Sequence, residues 1–161
     1  MWKGELEAIY ISSKKGDEMQ ALQQVRAVPG KGLMGDRYYQ RAELQPSAHS
    51  PENEVTLIEV ETYDALQRDY SLSLDPGTSR RNLVTRGAPL NHLVGREFKV
   101  GEIKLLGLEL CEPCTHLAKL SGRREILPAL VHRGGLRAQI LTGGIIEIGD
   151  EIREINPSPT D

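Results

Sequence analysis

Alternation of polar and apolar side chains dominates the chain. Over residues 5–12, Leu6, Ala8 and Tyr10 fall on one side and Glu5, Glu7 and Ile9 on the other, the period of a strand with one less polar face. Lys14-Lys15-Gly16-Asp17 reads as a turn, residues 20–28 as a second strand, and Pro29-Gly30-Lys31-Gly32 as a loop. Residues 41–53 have little apolar periodicity and two prolines, so they read as a long surface loop. Residues 55–58 form a short buried strand. Over 59–70 the period changes: Val60, Tyr63, Leu66 and Tyr70 recur at three-to-four spacing, which predicts an amphipathic helix on the outside of a barrel.

The second half returns to strands. A turn-rich connection over 71–78 leads to a strand at 82–85, ended by Arg86-Gly87. Residues 98–100 and 103–110 make a hairpin around Gly101-Glu102. Short helical pieces are expected around 114–120 and 125–131. Strands follow at 135–141, 145–148 and 151–155, separated by Thr142-Gly143-Gly144 and Gly149-Asp150. About eight short strands with close turns and one good helix imply a mainly β fold, a closed or nearly closed β-barrel. The pattern gives one domain over residues 1–155 and a frayed tail at 156–161, with no repeat or linker.

Composition narrows this picture. Aromatics are only 4% of the 161 residues, so Leu, Ile and Val must fill the core, and 16 glycines with 9 prolines suit a turn-rich β fold. A formal net charge of −3 with no long basic run argues against a nucleic-acid surface but leaves room for a compact basic pocket. No apolar stretch approaches the roughly 20 residues of a membrane helix. Acidic residues stand where a signal peptide would be apolar, so a cytoplasmic address is expected. Two cysteines cannot make a disulfide framework and would be reduced there.

The most informative local sequence is Cys111-Glu112-Pro113-Cys114. Proline suits the first turn of a helix, and Leu117 and Leu120 follow Cys114 at helical spacing. A thiol at a helix N-terminus meets unpaired amides and the positive end of the dipole, which lower its pKa. The resulting thiolate attacks sulfur or binds a soft metal; His116 lies two residues on. The same residues admit other readings: two small core residues, half of a zinc site with His49, His92, His116 and His132 scattered elsewhere, or a cycling dithiol, whose thioredoxin-like setting needs βαβ units not seen in the pattern.

Two basic clusters stand out. In Ser79-Arg80-Arg81-Asn82-Leu83-Val84-Thr85-Arg86-Gly87, a strand over 82–85 puts Arg81, Leu83 and Thr85 on one face and Arg80, Asn82 and Val84 on the other. An arginine at a strand mouth binds phosphate through its planar fork, or is simply solvated. His132-Arg133-Gly134-Gly135 is either an anion nest or a plain loop. Gly30-Lys31-Gly32-Leu33-Met34-Gly35 matches the dinucleotide fingerprint, but Asp36-Arg37-Tyr38-Tyr39-Gln40 opens no convincing amphipathic helix and no parallel βαβ unit follows. Those glycines are expected to serve positive-φ turns near a pocket.

Taken in order, these segments resemble the MOSC family, named for the C-terminal domain of molybdenum-cofactor sulfurases. The resemblance runs through residues 28–37, with Gly32-Leu33-Met34-Gly35-Asp36; through Arg81 to Gly87 and Leu93-Val94-Gly95; through Glu112-Pro113-Cys114; and through Arg133-Gly134-Gly135 to Leu141, Gly143-Gly144 and Gly149-Asp150. It implies a β-barrel with a cysteine at a basic pocket. In the family such a cysteine carries sulfane sulfur from a pyridoxal-phosphate-dependent cysteine desulfurase, or ligates molybdenum of a pterin cofactor in members that reduce N-hydroxylated compounds. Carried over, Cys114 is the carrier or metal ligand; Arg81, Asn82 and Thr85 line the pocket; Arg133 holds the cofactor's phosphate. The extra N-terminal barrel and ferredoxin domain of larger members are missing from these 161 residues, as is a desulfurase domain. Electrons would come from a molybdoenzyme or electron-transfer partner, and pyridoxal phosphate would act only through a partner desulfurase. Cys111 is additional to the single family cysteine and could resolve a persulfide to a disulfide.

Overall fold

A computed structural model describes residues 2–111, 128 and 132–155. Cys114, His116, the helical pieces expected at 114–120 and 125–131 (Pro128 apart) and the tail at 156–161 lie outside the described residues. In chain order the elements are β1 (Gly4–Ile11), β2 (Gln20–Leu22), β3 (Gln24–Val28), β4 (Gly32–Leu33), α1 (Arg37–Leu44), β5 (Val55–Glu59), α2 (Val60–Tyr70), β6 (Leu83–Arg86), β7 (Glu97–Val100), β8 (Ile103–Leu110), β9 (Leu136–Ile140), β10 (Gly144–Glu147) and β11 (Glu151–Glu154).

Seven strands close a barrel in the order β1-β6-β5-β9-β8-β7-β11, with β11 pairing back onto β1 through Gly4↔Ile152 and Glu5↔Glu151. β2 extends the sheet from the far end of β1, and β10-β3-β4 form a separate small sheet. Closure removes the exposed edges that an open sheet of these strands would present. The interior is aliphatic, as the scarcity of aromatics requires: Leu6, Ile9, Val55, Leu57, Leu83, Val100, Leu105, Leu136, Ala138 and Ile152 surround Phe98, the chain's one phenylalanine. Burying each large aliphatic side chain contributes roughly 1.5–3 kcal/mol.

The strand phase predicted for β1 holds only at its start. Leu6 points inward, but then Ile9 and Ile11 do, not Ala8 and Tyr10. The ladder to β6 shifts register between Leu6 and Ala8, and this bulge inserts one residue and reverses the alternation. The strand expected over 20–28 is split at Gln23, and its two parts pair in different sheets.

Three further expectations change. Two α-helices are present among the described residues, not one. The missed helix, α1, occupies part of the supposed surface loop and part of the segment dismissed as non-helical. Asp36 caps it by accepting from the Tyr38 N–H at 3.3 Å, and only Tyr39 and Ala42 are buried, too short an apolar stripe to show in the sequence. The rest of that supposed loop carries two short 3₁₀ turns, Pro46–Ala48 and Pro51–Asn53. Finally, β5 and β6 run parallel and are joined through α2, a βαβ crossover inside the barrel that the sequence reading did not find. The glycine-rich dinucleotide decoy is a turn between the antiparallel pair β3 and β4, with Gly30, Gly32 and Gly35 all at positive φ.

Candidate functional site

At the end of the barrel where β1 finishes and β5 and β6 begin, the chain forms a cavity of about 190 Å3. Four arginines line it: Arg37 from the first turn of α1, Arg80 and Arg81 just before β6, and Arg137 from β9. A second, more open cavity of about 540 Å3 adjoins it, sharing Met19 and Arg80 and carrying Asp17, Glu18 and Asp75.

Each arginine is held differently. Arg37 donates from Nη2 to Tyr38 Oη at 3.0 Å, and its guanidinium lies 4.6 Å from the Tyr38 ring centroid. Its Nη1 is buried and meets no hydrogen-bond partner among the described residues. Arg80 sits in the left-handed region at φ 61°, where a non-glycine residue is strained, and donates from Nη1 to the Asp17 carbonyl at 2.6 Å. Burial, then the positive charge of Arg37, push its pKa below the ordinary arginine value. Arg81 donates from Nε to the Gly134 carbonyl at 2.7 Å. Among the described residues none of these three has a carboxylate at ion-pairing distance; their bonds go to neutral oxygens. Arg137 reaches the Glu52 carbonyl at 3.3 Å and approaches Glu109 at 3.7 Å.

One carboxylate shares the cavity. Asp36 accepts from the backbone N–H of Ser12 at 3.0 Å and of Tyr38, so its oxygens serve the backbone. Burial raises its pKa, and those hydrogen bonds and Arg37 only partly oppose the rise. The cavity therefore gathers guanidinium charge against its own repulsion and, among the described residues, leaves a buried guanidinium nitrogen of Arg37 unmet. Such an arrangement has the chemistry to receive an oxyanion, whose oxygens can satisfy guanidinium forks bidentately.

The structure distributes the expected site residues unevenly. Arg81 and Asn82 line the cavity. Asn82, however, spends its amide on the framework: Oδ1 accepts from the Thr56 N–H at 3.0 Å and hydroxyl at 3.1 Å, and Nδ2 donates to the Tyr10 carbonyl at 3.0 Å. Thr85 does not line it. It is fully buried in the wall between β6 and β5, its Oγ1 3.5 Å from the Ile58 carbonyl, because Leu83, Val84 and Thr85 are all covered and the expected two-face alternation fails. Arg133 does not line it either; it lies 3.5 Å from Asp69 at the end of α2. The His132-Arg133-Gly134-Gly135 loop presents carbonyls to donors, Gly134 to Arg81 and His132 to Asn91 at 2.9 Å. Cys111, 1% exposed, pairs its N–H with the Gly135 carbonyl at 2.8 Å, so the chain leading to Cys114 departs beside that loop. Among the described residues no three His, Cys, Asp or Glu side chains gather as a metal site, and no helix is long and apolar enough to cross a membrane.

Sequence reasoning missed Arg37 and Arg137 and left Arg80 as part of a cluster. Arg37 was legible as the residue after Gly35-Asp36. Arg137 carried no signal beyond its place in a strand.

The MOSC domain matches residues 45–153, more than half of the chain. This chain belongs to the MOSC domain family. Among solved structures, the MOSC barrel described above is similar to the YuaD protein from Bacillus subtilis, with a TM-score of 0.78 and 17% identity, covering 98% of this chain and 100% of that one. It is also similar to YiiM from Geobacillus stearothermophilus (TM-score 0.72, 13% identity, 95% and 75% covered) and YiiM from Escherichia coli (TM-score 0.68, 16% identity, 96% and 71% covered). At these identities the likeness is one of fold. No curated protein matches the sequence. MOSC domains are associated with the molybdenum cofactor, and this chain is a domain of that class.

Proposed function

We propose that the arginine cavity holds the phosphate of a molybdenum–pterin cofactor and that Cys114 is the reactive thiolate beside it. The observation that carries this reading is the buried Nη1 of Arg37, which meets no hydrogen-bond partner among the described residues, in a cavity where, among the same residues, Arg80 and Arg81 have no carboxylate at ion-pairing distance. A cavity of about 190 Å3 suits a phosphate, with the adjoining 540 Å3 left for the larger part of a ligand. Arg37, Arg80 and Arg81 would hold the phosphate and Arg137 would add charge at the rim. The role first expected of Arg133 passes to these residues, since its guanidinium is turned to Asp69. When bound, the cofactor supplies a molybdenum centre competent in two-electron atom transfer.

The protein's own contribution is positional and electrostatic. Cys111 is fixed on Gly135, next to the Gly134 carbonyl that Arg81 engages. Cys114 follows Cys111 by three residues in the sequence. Positive charge nearby favours the thiolate, the form that ligates a soft metal.

The same thiolate serves a sulfur carrier. It attacks the terminal sulfur of a desulfurase persulfide, an S–S bond forms on Cys114 as the donor's S–S bond breaks, and the donor cysteine leaves as thiolate. In this role a cysteine desulfurase is the partner; in the metal-ligand role a separate electron-transfer protein is.

Protein purified from cells that make the cofactor, assayed for molybdenum by elemental analysis and for a sulfur adduct on Cys114 after incubation with a desulfurase and cysteine, tests both. Metal or adduct present in wild type and lost in Cys114→Ser is the expected result. Neither metal nor adduct in wild type ends the proposal.

A further inference from the structure

The turn that precedes Arg80 and Arg81 is braced from outside the cavity. Tyr63, on α2, donates its phenol proton to Ser79 Oγ at 2.6 Å, and Ser79 Oγ donates in turn to the Pro76 carbonyl at 3.1 Å; the phenol oxygen also lies 2.8 Å from that carbonyl. The two hydroxyls and the carbonyl close a triangle over the 3₁₀ turn Pro76–Ser79. Ser79 is 2% exposed, and burial pushes the Tyr63 phenol up to about 12, so the phenol stays a donor at every physiological pH. The next residue is Arg80, in the left-handed region, with its N–H bonded to the Gly77 carbonyl at 3.1 Å.

This brace stands where the local energy is unfavourable. Arg80 occupies a backbone conformation disfavoured for any side chain with a Cβ, and its guanidinium shares the cavity with that of Arg37, whose like charge opposes it. Both effects would push the turn to relax outward. On the downstream side Asn82 is anchored to Thr56 and Tyr10, and Arg80 and Arg81 are held at their tips by backbone carbonyls on separate loops. On the upstream side, at Pro76 and Ser79, the side-chain restraint comes from α2.

We propose that Tyr63, acting with Ser79, is a positioning residue that fixes the Pro76–Ser79 turn so that Arg80 and Arg81 face the cavity in anion-binding geometry. This rests on the anion-binding reading of that cavity. α2 thereby does more than cover the barrel: it sets the charge geometry of a site it does not line.

The test is titration of the full chain with inorganic phosphate by calorimetry. Wild type is expected to bind, and Arg37→Ala to lose binding. Tyr63→Phe is expected to weaken phosphate roughly fivefold, the factor one hydrogen bond is worth, with an unchanged circular dichroism spectrum. Ser79→Ala should do the same, and the double variant should be no weaker than the worse single one, because both remove one brace. Val100→Ala, a core truncation on β7 across the barrel, should lower stability and leave phosphate affinity alone. Phosphate affinity unchanged in both Tyr63→Phe and Ser79→Ala, or reduced equally by Val100→Ala, overturns the positioning role while the cavity reading stands. No phosphate binding by wild type overturns both.

Discussion

Arg81 Nε donates to the Gly134 carbonyl at 2.7 Å, and this bond ties the arginine cavity to the stretch of chain whose next carbonyl, that of Gly135, accepts from the Cys111 N–H. Arg81 thus has two tasks, holding Gly134 through Nε and offering its remaining N–H groups to the cavity. A lysine ammonium cannot do both in the same geometry, because it is a point donor on a flexible stem. Arg81→Met should weaken phosphate binding about tenfold or more, as expected for a charge-assisted hydrogen bond. Arg81→Lys should recover only part of that. Calorimetric titration decides it, and full recovery by lysine would mean that charge alone matters there.

Asn82 joins three strands through one amide. Its Oδ1 receives both donors of Thr56 at the start of β5, and its Nδ2 reaches the Tyr10 carbonyl on β1. Asn82→Ala leaves the Thr56 N–H and the Tyr10 carbonyl unmet in a partly buried setting, at about 1–3 kcal/mol for each unsatisfied group. A loss of about 3 kcal/mol by urea denaturation is expected, with the wild-type denaturant dependence. Asn82→Asp keeps the acceptor, loses the donor and puts negative charge beside the arginines. It should be the milder variant for stability and the harsher one for phosphate affinity. The opposite order would show that the amide acts on the ligand directly.

The barrel was legible because period-two alternation survives wherever a strand has one buried face, and each turn was marked by glycine or proline, as at Gly101-Glu102 and Gly149-Asp150. The phase of β1 was not legible, since a bulge leaves no trace in residue type. Helix α1 escaped because its anchor is the Asp36 cap more than an apolar stripe. Arg81 and Asn82 were found from a cluster on one strand, whereas Arg37 and Arg137 reach the cavity through tertiary contact across 44 and 56 residues of chain from Arg81. Thr85 was misplaced because β6 is flanked by β1 and β5 and covered on both faces, which defeats a two-face argument.

Stability should fall as pH rises through the acid range. Glu54 is 1% exposed; its Oε1 accepts from the Ile140 N–H at 3.0 Å and its Oε2 lies 2.9 Å from His49 Nε2. Burial raises its pKa above the ordinary 4.5, and the hydrogen bonds and His49 only partly oppose this. A carboxyl whose folded-state pKa is raised binds its proton more tightly when folded. Its stabilising contribution is fully present below the unfolded value and is lost as pH rises through the raised one. Burial acts in the same direction at Asp36 and Glu59. Glu54→Gln should therefore flatten the decline in unfolding free energy above pH 4.5. An unchanged slope in that variant would assign the pH dependence to Asp36 and Glu59.

Gly135 permits a backbone contact that no other residue allows. Its φ is +107°, and a Cβ there would lie 2.0 Å from the Leu57 carbonyl oxygen, well inside contact distance and against backbone. The next residue, Leu136, pairs with Leu57, so an added methyl group would force β9 off β5 where the barrel wall meets the arginine cavity. Gly149 offers the comparison: its φ is +96°, and a Cβ there meets nothing within 4 Å. Gly149→Ala thus carries conformational strain alone, about 1–2 kcal/mol. Gly135→Ala adds a clash that only strand displacement relieves, so a loss above about 4 kcal/mol or failure to accumulate as folded protein is expected. Because the shifted strand carries Arg137 and follows Gly134, any folded fraction should also bind phosphate more weakly, which Gly149→Ala should not. Parallel urea denaturation and phosphate titration of the two variants separate strain from clash; equal stability losses in both would place the whole effect in backbone conformation.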